Sequence, residues 1–121
     1  MVRFRRAVES GDIDALVASL SPDVVFQSPV VFKPYTGRDA VGLLLRVVAT
    51  VLEDFRYVAE LHGDGQTALV FHARVGDKAL EGIDLGRVGP DGLVTHLTVF
   101  VRPLSASIAL AEAMKAKLAG G

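Results

Sequence analysis

Residues 68–88 read Ala-Leu-Val-Phe-His-Ala-Arg-Val-Gly-Asp-Lys-Ala-Leu-Glu-Gly-Ile-Asp-Leu-Gly-Arg-Val. Two apolar runs flank Gly76-Asp77, a two-residue link that favours a β-hairpin. Pairing outward from the link sets Val75 opposite Lys78, Ala73 opposite Leu80, Phe71 opposite Gly82 and Leu69 opposite Asp84. Successive side chains alternate faces along a strand. One face therefore carries Leu69, Phe71, Ala73, Val75, Leu80, Gly82 and Asp84; the other carries Val70, His72, Arg74, Glu81 and Ile83. Asp84 stands out as a carboxylate on the more apolar face, beside a glycine that leaves room next to it.

Further strands follow the same logic on both sides. Phe55–His62, Thr67–Val75, Ala79–Val88 and Leu93–Arg102 form four antiparallel strands. Gly63-Asp64-Gly65 and Gly89-Pro90-Asp91-Gly92 make the outer turns. Upstream, Arg3–Glu9 is a short helix closed by Ser10-Gly11. Asp12 can cap a second helix through Leu20, with Ile13, Leu16, Val17 and Leu20 on one face and Ser21-Pro22 as its stop. Asp23–Ser28 is a strand, and residues 29–37 are a loop in which Pro29 and Pro34 deny ladder hydrogen bonds. A long helix runs from Arg38 to Leu52, with Thr36 and Asp39 resembling a capping box. Its apolar stripe is Val41, Leu44, Leu45, Val48, Val51 and Leu52. After Pro103-Leu104, Ser105 or Ser107 can cap a last helix to Leu118. Its stripe is Leu104, Ile108, Ala111, Met114 (or Lys115) and Leu118, and the Gly120-Gly121 tail frays. Helices followed by a strand meander give an α+β class.

Composition narrows the function. At 121 residues the chain is one domain, residues 1–121, and half of its residues are hydrophobic. A net charge of −1 gives no electrostatic reason for a nucleic-acid partner or an acidic membrane surface. With no cysteine, disulfides and thiolate metal sites are excluded, and a cytoplasmic location fits. No apolar segment approaches the roughly 18 residues of a membrane span. The start, Met-Val-Arg-Phe-Arg-Arg, lacks the apolar stretch of a signal peptide.

Several local motifs resemble the NTF2-like superfamily, which includes ketosteroid isomerases, SnoaL-like polyketide cyclases and limonene epoxide hydrolases. Ser10-Gly11-Asp12-Ile13-Asp14-Ala15 resembles the turn between that family's first two helices. Pro22-Asp23-Val24-Val25-Phe26 resembles its strand entry, and Gly37-Arg38-Asp39-Ala40-Val41 the start of its long helix. Gly82-Ile83-Asp84 with Pro90-Asp91-Gly92-Leu93-Val94 resembles its hairpin, and Val101-Arg102-Pro103-Leu104 its strand exit. The resemblance implies a cone formed by a curved antiparallel sheet wrapped around a long helix. It does not choose an activity, because one scaffold hosts many functions. The isomerase base position falls on Ser28, in Ser28-Pro29-Val30, and the oxyanion tyrosine falls on or near Phe4. Only the second oxyanion donor matches, at Asp84. Steroid isomerisation is therefore disfavoured. The epoxide-hydrolase Arg/Asp network also fails, since Gly76 follows Arg74 by two residues and Thr98 replaces the second aspartate.

A carboxyl in an apolar pocket has its pKa raised and can donate to a ligand carbonyl or act as an acid/base. Ketosteroid isomerase shows that behaviour, so the reading of Asp84 is partly analogy. The alternative is a structural carboxylate bonded to Tyr57, Tyr35 or Ser28. Ser28, Tyr35, Tyr57, Phe71, Leu97 and Val99 join Asp84 as candidate ligand-binding residues, with Asp84 the one catalytic candidate. Ser28 can equally cap a turn, and Tyr35 can simply pack on the long helix. His62, His72 and His96 lie on different strands without ligand spacing and read as surface or interface histidines, so no metal and no cofactor is expected. Arg74, Arg87 and Arg102 with Glu81 share the outer sheet face with Val70, Ile83, Val94, Thr98 and Phe100. That face is too apolar for open water, which points to a sheet-to-sheet homodimer.

Three functions remain open. The first is a binding protein for a small hydrophobic molecule. The second is a SnoaL- or isomerase-like enzyme using Asp84 as acid/base on a polyketide- or terpenoid-like carbonyl compound. The third is an interaction module with a vestigial pocket.

Overall fold

The computed structural model describes residues 1–120 and contains the hairpin in the expected register. Val75 partners Lys78, Phe71 partners Gly82 and Leu69 partners Asp84. Gly76 sits at φ 59°, the left-handed conformation that the first link position demands. In chain order the elements are α1 (Val2–Ser10), α2 (Ile13–Ala18), β1 (Leu20–Gln27), β2 (Tyr35–Thr36) and α3 (Arg38–Val51). They continue with β3 (Glu53–Gly63), β4 (Gln66–Val75), β5 (Lys78–Val88), β6 (Val94–Arg102) and α4 (Leu104–Ala119). The six strands lie in the order β2-β1-β6-β5-β4-β3. β3 to β6 form the antiparallel meander, but β1 joins β6 in parallel, so the sheet is mixed. The long chain between β1 and β6 frees that pair from hairpin geometry.

Local differences from the sequence reading have physical causes. β1 begins at Leu20, where the second helix was expected to end. Its pairing with β6 slips between Leu20 and Val25, and Pro22 lies in that irregular stretch, where a missing N–H costs no ladder bond. The expected loop contains β2, whose Tyr35 and Thr36 pair with Phe26 and Val25. Thr36 is thereby committed to a strand, and α3 is capped by Gly37 at φ 94° with no side-chain bond, not by a capping box. α4 begins at Leu104 after Pro103, so Ser105 and Ser107 lie inside it; Ser107 Oγ donates to the Val101 carbonyl at 3.0 Å. Asp12 caps α2 as read, accepting from the Ala15 N–H at 3.0 Å. Of the expected frayed tail, Gly120 closes α4, and Gly121 lies outside the described residues.

The concave sheet face carries the core. Leu69 and Leu97 pack with Phe4, Phe26, Val41 and Leu45, joining β4 and β6 to α1, β1 and α3. Phe71, Ala73 and Leu80 pack instead on Ala106 of α4. The curved sheet packs around α3 as expected, and α4 adds a second helix over Phe71, Ala73 and Leu80. Leu104 and Ile108, read as part of the buried stripe of α4, are 75% and 50% exposed, and Ala106 and Leu110 are buried in their place. Val94, assigned to the outer face, is buried in the core. The β5–β6 register shifts at Val88, leaving Thr95 as an extra residue that reverses the alternation before it. Val70, Ile83 and Thr98 lie half-buried, and Phe100 is 51% exposed.

Candidate functional site

The concave face, α1, α3, α4 and the loop after β1 enclose a cavity of about 1120 Å³. Apolar side chains dominate its lining, among them Phe4, Leu16, Phe26, Leu44, Leu45, Val48, Phe55, Leu110 and Met114. Ser28, Tyr35, Tyr57, Phe71, Asp84, Leu97 and Val99 all line the same space. Six of them do so because β2, β3, β4, β5 and β6 each turn one side-chain row inward, and Ser28 follows directly after β1.

Asp84 is buried on β5, with Leu69 and Val99 as its strand neighbours. Tyr57 comes from β3, two strands away, roughly 10 Å across the sheet. A bulge between Tyr57 and Ala59 adjusts β3 beside this residue. The phenol reaches over β4, and its hydroxyl donates to Asp84 Oδ2 at 2.8 Å. The Tyr57 ring is fixed by an edge-on Phe55 at 5.0 Å and by the Arg5 guanidinium 5.4 Å from its centroid. Arg5 is anchored in turn by Glu60 at 2.9 Å and Glu9 at 3.2 Å.

Burial pushes the Asp84 carboxyl up to about 7, and the Tyr57 hydrogen bond works against that rise. Burial also raises the Tyr57 phenol, with the Asp84 charge adding to the effect, so Tyr57 stays protonated. Asp84 Oδ1 makes no hydrogen bond to a described residue. No sealed side-chain polar atom lacks a partner among the described residues, so Oδ1 opens onto the cavity. Protonated, it offers a donor to a ligand oxygen; ionised, it accepts from a hydroxyl.

The other candidates are less engaged. Ser28 Oγ accepts from the N–H groups of Val30 at 3.2 Å and Val31 at 3.0 Å, and so holds the loop at the cavity wall. The Tyr35 ring packs obliquely on Phe26 at 6.4 Å. Gly82 does not leave space for a ligand as expected: a side chain there would run into the Phe71 ring. The three histidines stay apart, and no group of metal-ligating side chains occurs among the described residues. His62 meets Glu60, His72 meets Glu81, and His96 meets Thr95.

The sequence reading missed the share that α4 takes, through Leu110, Ala111, Met114, Lys115 and Leu118. It also missed Arg5 on Tyr57. No local pattern in α1 marks Arg5 for that ring, because the contact joins residues 52 positions apart.

Comparison with known proteins agrees with this architecture. The family model described as a SnoaL-like domain matches residues 1–102. A steroid delta-isomerase from Pseudomonas aeruginosa is 39% identical, covering 98% of this chain and 88% of that one, at a TM-score of 0.93. A protein with a cystatin-like fold from Silicibacter pomeroyi is 34% identical over 98% of this chain and 84% of its own, at 0.91. SalBIII, an epoxide hydrolase/cyclase-like enzyme of salinomycin pyran-ring formation, shares the fold at 18% identity and 0.70, covering 87% and 88%. No curated protein matches the sequence. A family match over most of the chain, carried by a cone with this strand order, makes it a member of the SnoaL-like family of NTF2-like proteins.

Proposed function

We propose that this protein binds a small hydrophobic molecule and fixes one of its oxygen atoms at Asp84. The observation that carries this reading is the state of one carboxyl. It is buried in a cavity of about 1120 Å³, tied by Oδ2 to Tyr57, and free at Oδ1 on the cavity side. Apolar walls supply affinity in proportion to area covered, and one polar group sets orientation. Below its pKa, Asp84 donates to a carbonyl.

The test uses calorimetric titration with a steroid ketone and its parent hydrocarbon. The ketone should bind more tightly than the hydrocarbon, and its advantage should shrink as pH rises through about 7. Asp84→Leu should equalise the two. Equal binding to the unaltered protein would remove Asp84 from the role.

The 39% identity to a steroid delta-isomerase favours a second, enzymatic reading. Ionised Asp84 would take a proton from the carbon beside a carbonyl and return one to the substrate. Glu9 is the other carboxylate on the cavity wall and is held by Arg5, while Ser28 offers no carboxylate. Solvent deuterium entering the ketone, followed by NMR, separates catalysis from binding. We further propose that two copies pair through the outer sheet face, where Val70, Ile83, Thr98 and Phe100 cluster.

A further inference from the structure

We infer that Arg5 is a positioning residue for the pocket: lying over the Tyr57 ring, it holds the phenol hydroxyl on Asp84 Oδ2 and leaves Oδ1 turned to the ligand. The inference rests on the pocket reading above and concerns the same site.

Every link in this chain of contacts is close. The guanidinium carbon lies over the Tyr57 ring, 5.4 Å from its centroid, within reach of a cation–π contact. Phe55 and Phe71 pack against the same ring at 88° and 85°. The Tyr57 hydroxyl donates to Asp84 Oδ2 at 2.8 Å. Arg5 itself is clamped. Nη1 donates to Glu60 at 2.9 Å, Nη2 donates to Glu9 at 3.3 Å, and Nε lies 3.2 Å from the other Glu9 oxygen. Three nitrogens held by two carboxylates fix the plane of the fork. The bulge in β3 builds this clamp. Tyr57 pairs with Phe71 and Glu60 with Leu69, both inward-facing residues of β4, although simple alternation would send positions 57 and 60 to opposite faces. The extra residue, Val58, brings the anchor of Arg5 onto the face that holds its ring.

A cation over a π face draws electron density from the phenol and makes its hydroxyl a stronger donor. A stronger bond from Tyr57 favours the ionised carboxyl. Arg5 thereby works against the burial that keeps Asp84 protonated. The other charged groups beside the pair are Glu9 of α1 and Glu60 of β3, both on Arg5, with His62 on the second Glu60 oxygen at 2.7 Å. Arg46 of α3, on Asp14, and Lys115 of α4 line the same cavity. Arg56, opposite His72, alternates away to the outer sheet face.

A double-mutant cycle, read by carbon NMR of the Asp84 carboxyl in the ligand-free protein, tests this. Arg5→Met keeps an apolar chain beside the ring and removes the cation. Asp84 should then titrate about half a pH unit higher, the scale of an exposed cation–π contact. Arg5→Lys should restore most of the difference. In a Tyr57→Phe background, Arg5→Met should move the titration little, because the hydroxyl that transmits the effect is gone. A merely structural arginine would leave the titration unmoved, and one acting on Asp84 directly through its charge would move it equally in both backgrounds. Either result would overturn the inference. Melting curves check the fold, and Arg5→Gln takes the place of Arg5→Met in the cycle should that variant not fold. The advantage of the ketone over its hydrocarbon should likewise persist to higher pH in Arg5→Met. The titration needs no ligand, so its failure is separable from a failure of the binding reading.

Discussion

At Asp84, the consequence of burial is a pH dependence whose sign is fixed. The folded carboxyl titrates at about 7 against an ordinary 3.8. Between those values the folded state keeps a proton that the unfolded chain has lost. Stability from this group is therefore full below about 4 and declines as pH rises to about 7. The decline amounts to about 4 kcal/mol across the window. Chemical denaturation at a series of pH values should show it, and Asp84→Asn should flatten that part of the curve. Tyr57→Phe removes the bond that favours the ionised form, so the carboxyl should titrate still higher by carbon NMR. An unshifted titration in that variant would mean that the hydroxyl is not felt. The sequence made Asp84 conspicuous, since strand alternation puts it on the apolar face. It could not choose Tyr57 among three hydroxyls, because the choice depends on a bulge and a reach over a whole strand.

Elements were legible where one periodicity governed them and obscure where two forces competed. The hairpin read well because its link and alternation agree. α4 read poorly because apolar residues surround it: Leu104 and Ile108 compete with Ala106 and Leu110 for the inward face, and the small Ala106 won the tight approach to Phe71 and Leu80. Gly82 leaves room for the Phe71 ring, which a Cβ there would strike. A Cβ there would lie 2.7 Å from the Phe100 carbonyl oxygen, a backbone atom that cannot swing away. Gly82→Ala should cost about 1–3 kcal/mol by overpacking, read from urea unfolding. A neutral result would show that β5 and β6 can part without penalty.

For the whole molecule, the outer sheet face and the sheet order matter most. Phe100 is 51% exposed beside half-buried Ile83, its β5 partner. Sedimentation at micromolar concentration should give about twice the chain mass, and Phe100→Glu should shift it toward one copy. A monomer from the outset would remove the dimer. The α+β class and the antiparallel meander were readable from the chain. The parallel β1–β6 pairing was not, because no local signal reports which distant edge a strand will find. That pairing also sets the order of events at the ribosome. Phe26 lies beside Leu97, and the Val94 N–H closes onto the Ser19 carbonyl at 2.9 Å. During synthesis, β1 emerges some seventy residues before its partner and waits with Val24 and Phe26 unsheltered by that strand. The cone can close only when β6 arrives, so this domain is most vulnerable to wrong partners just before β6 emerges.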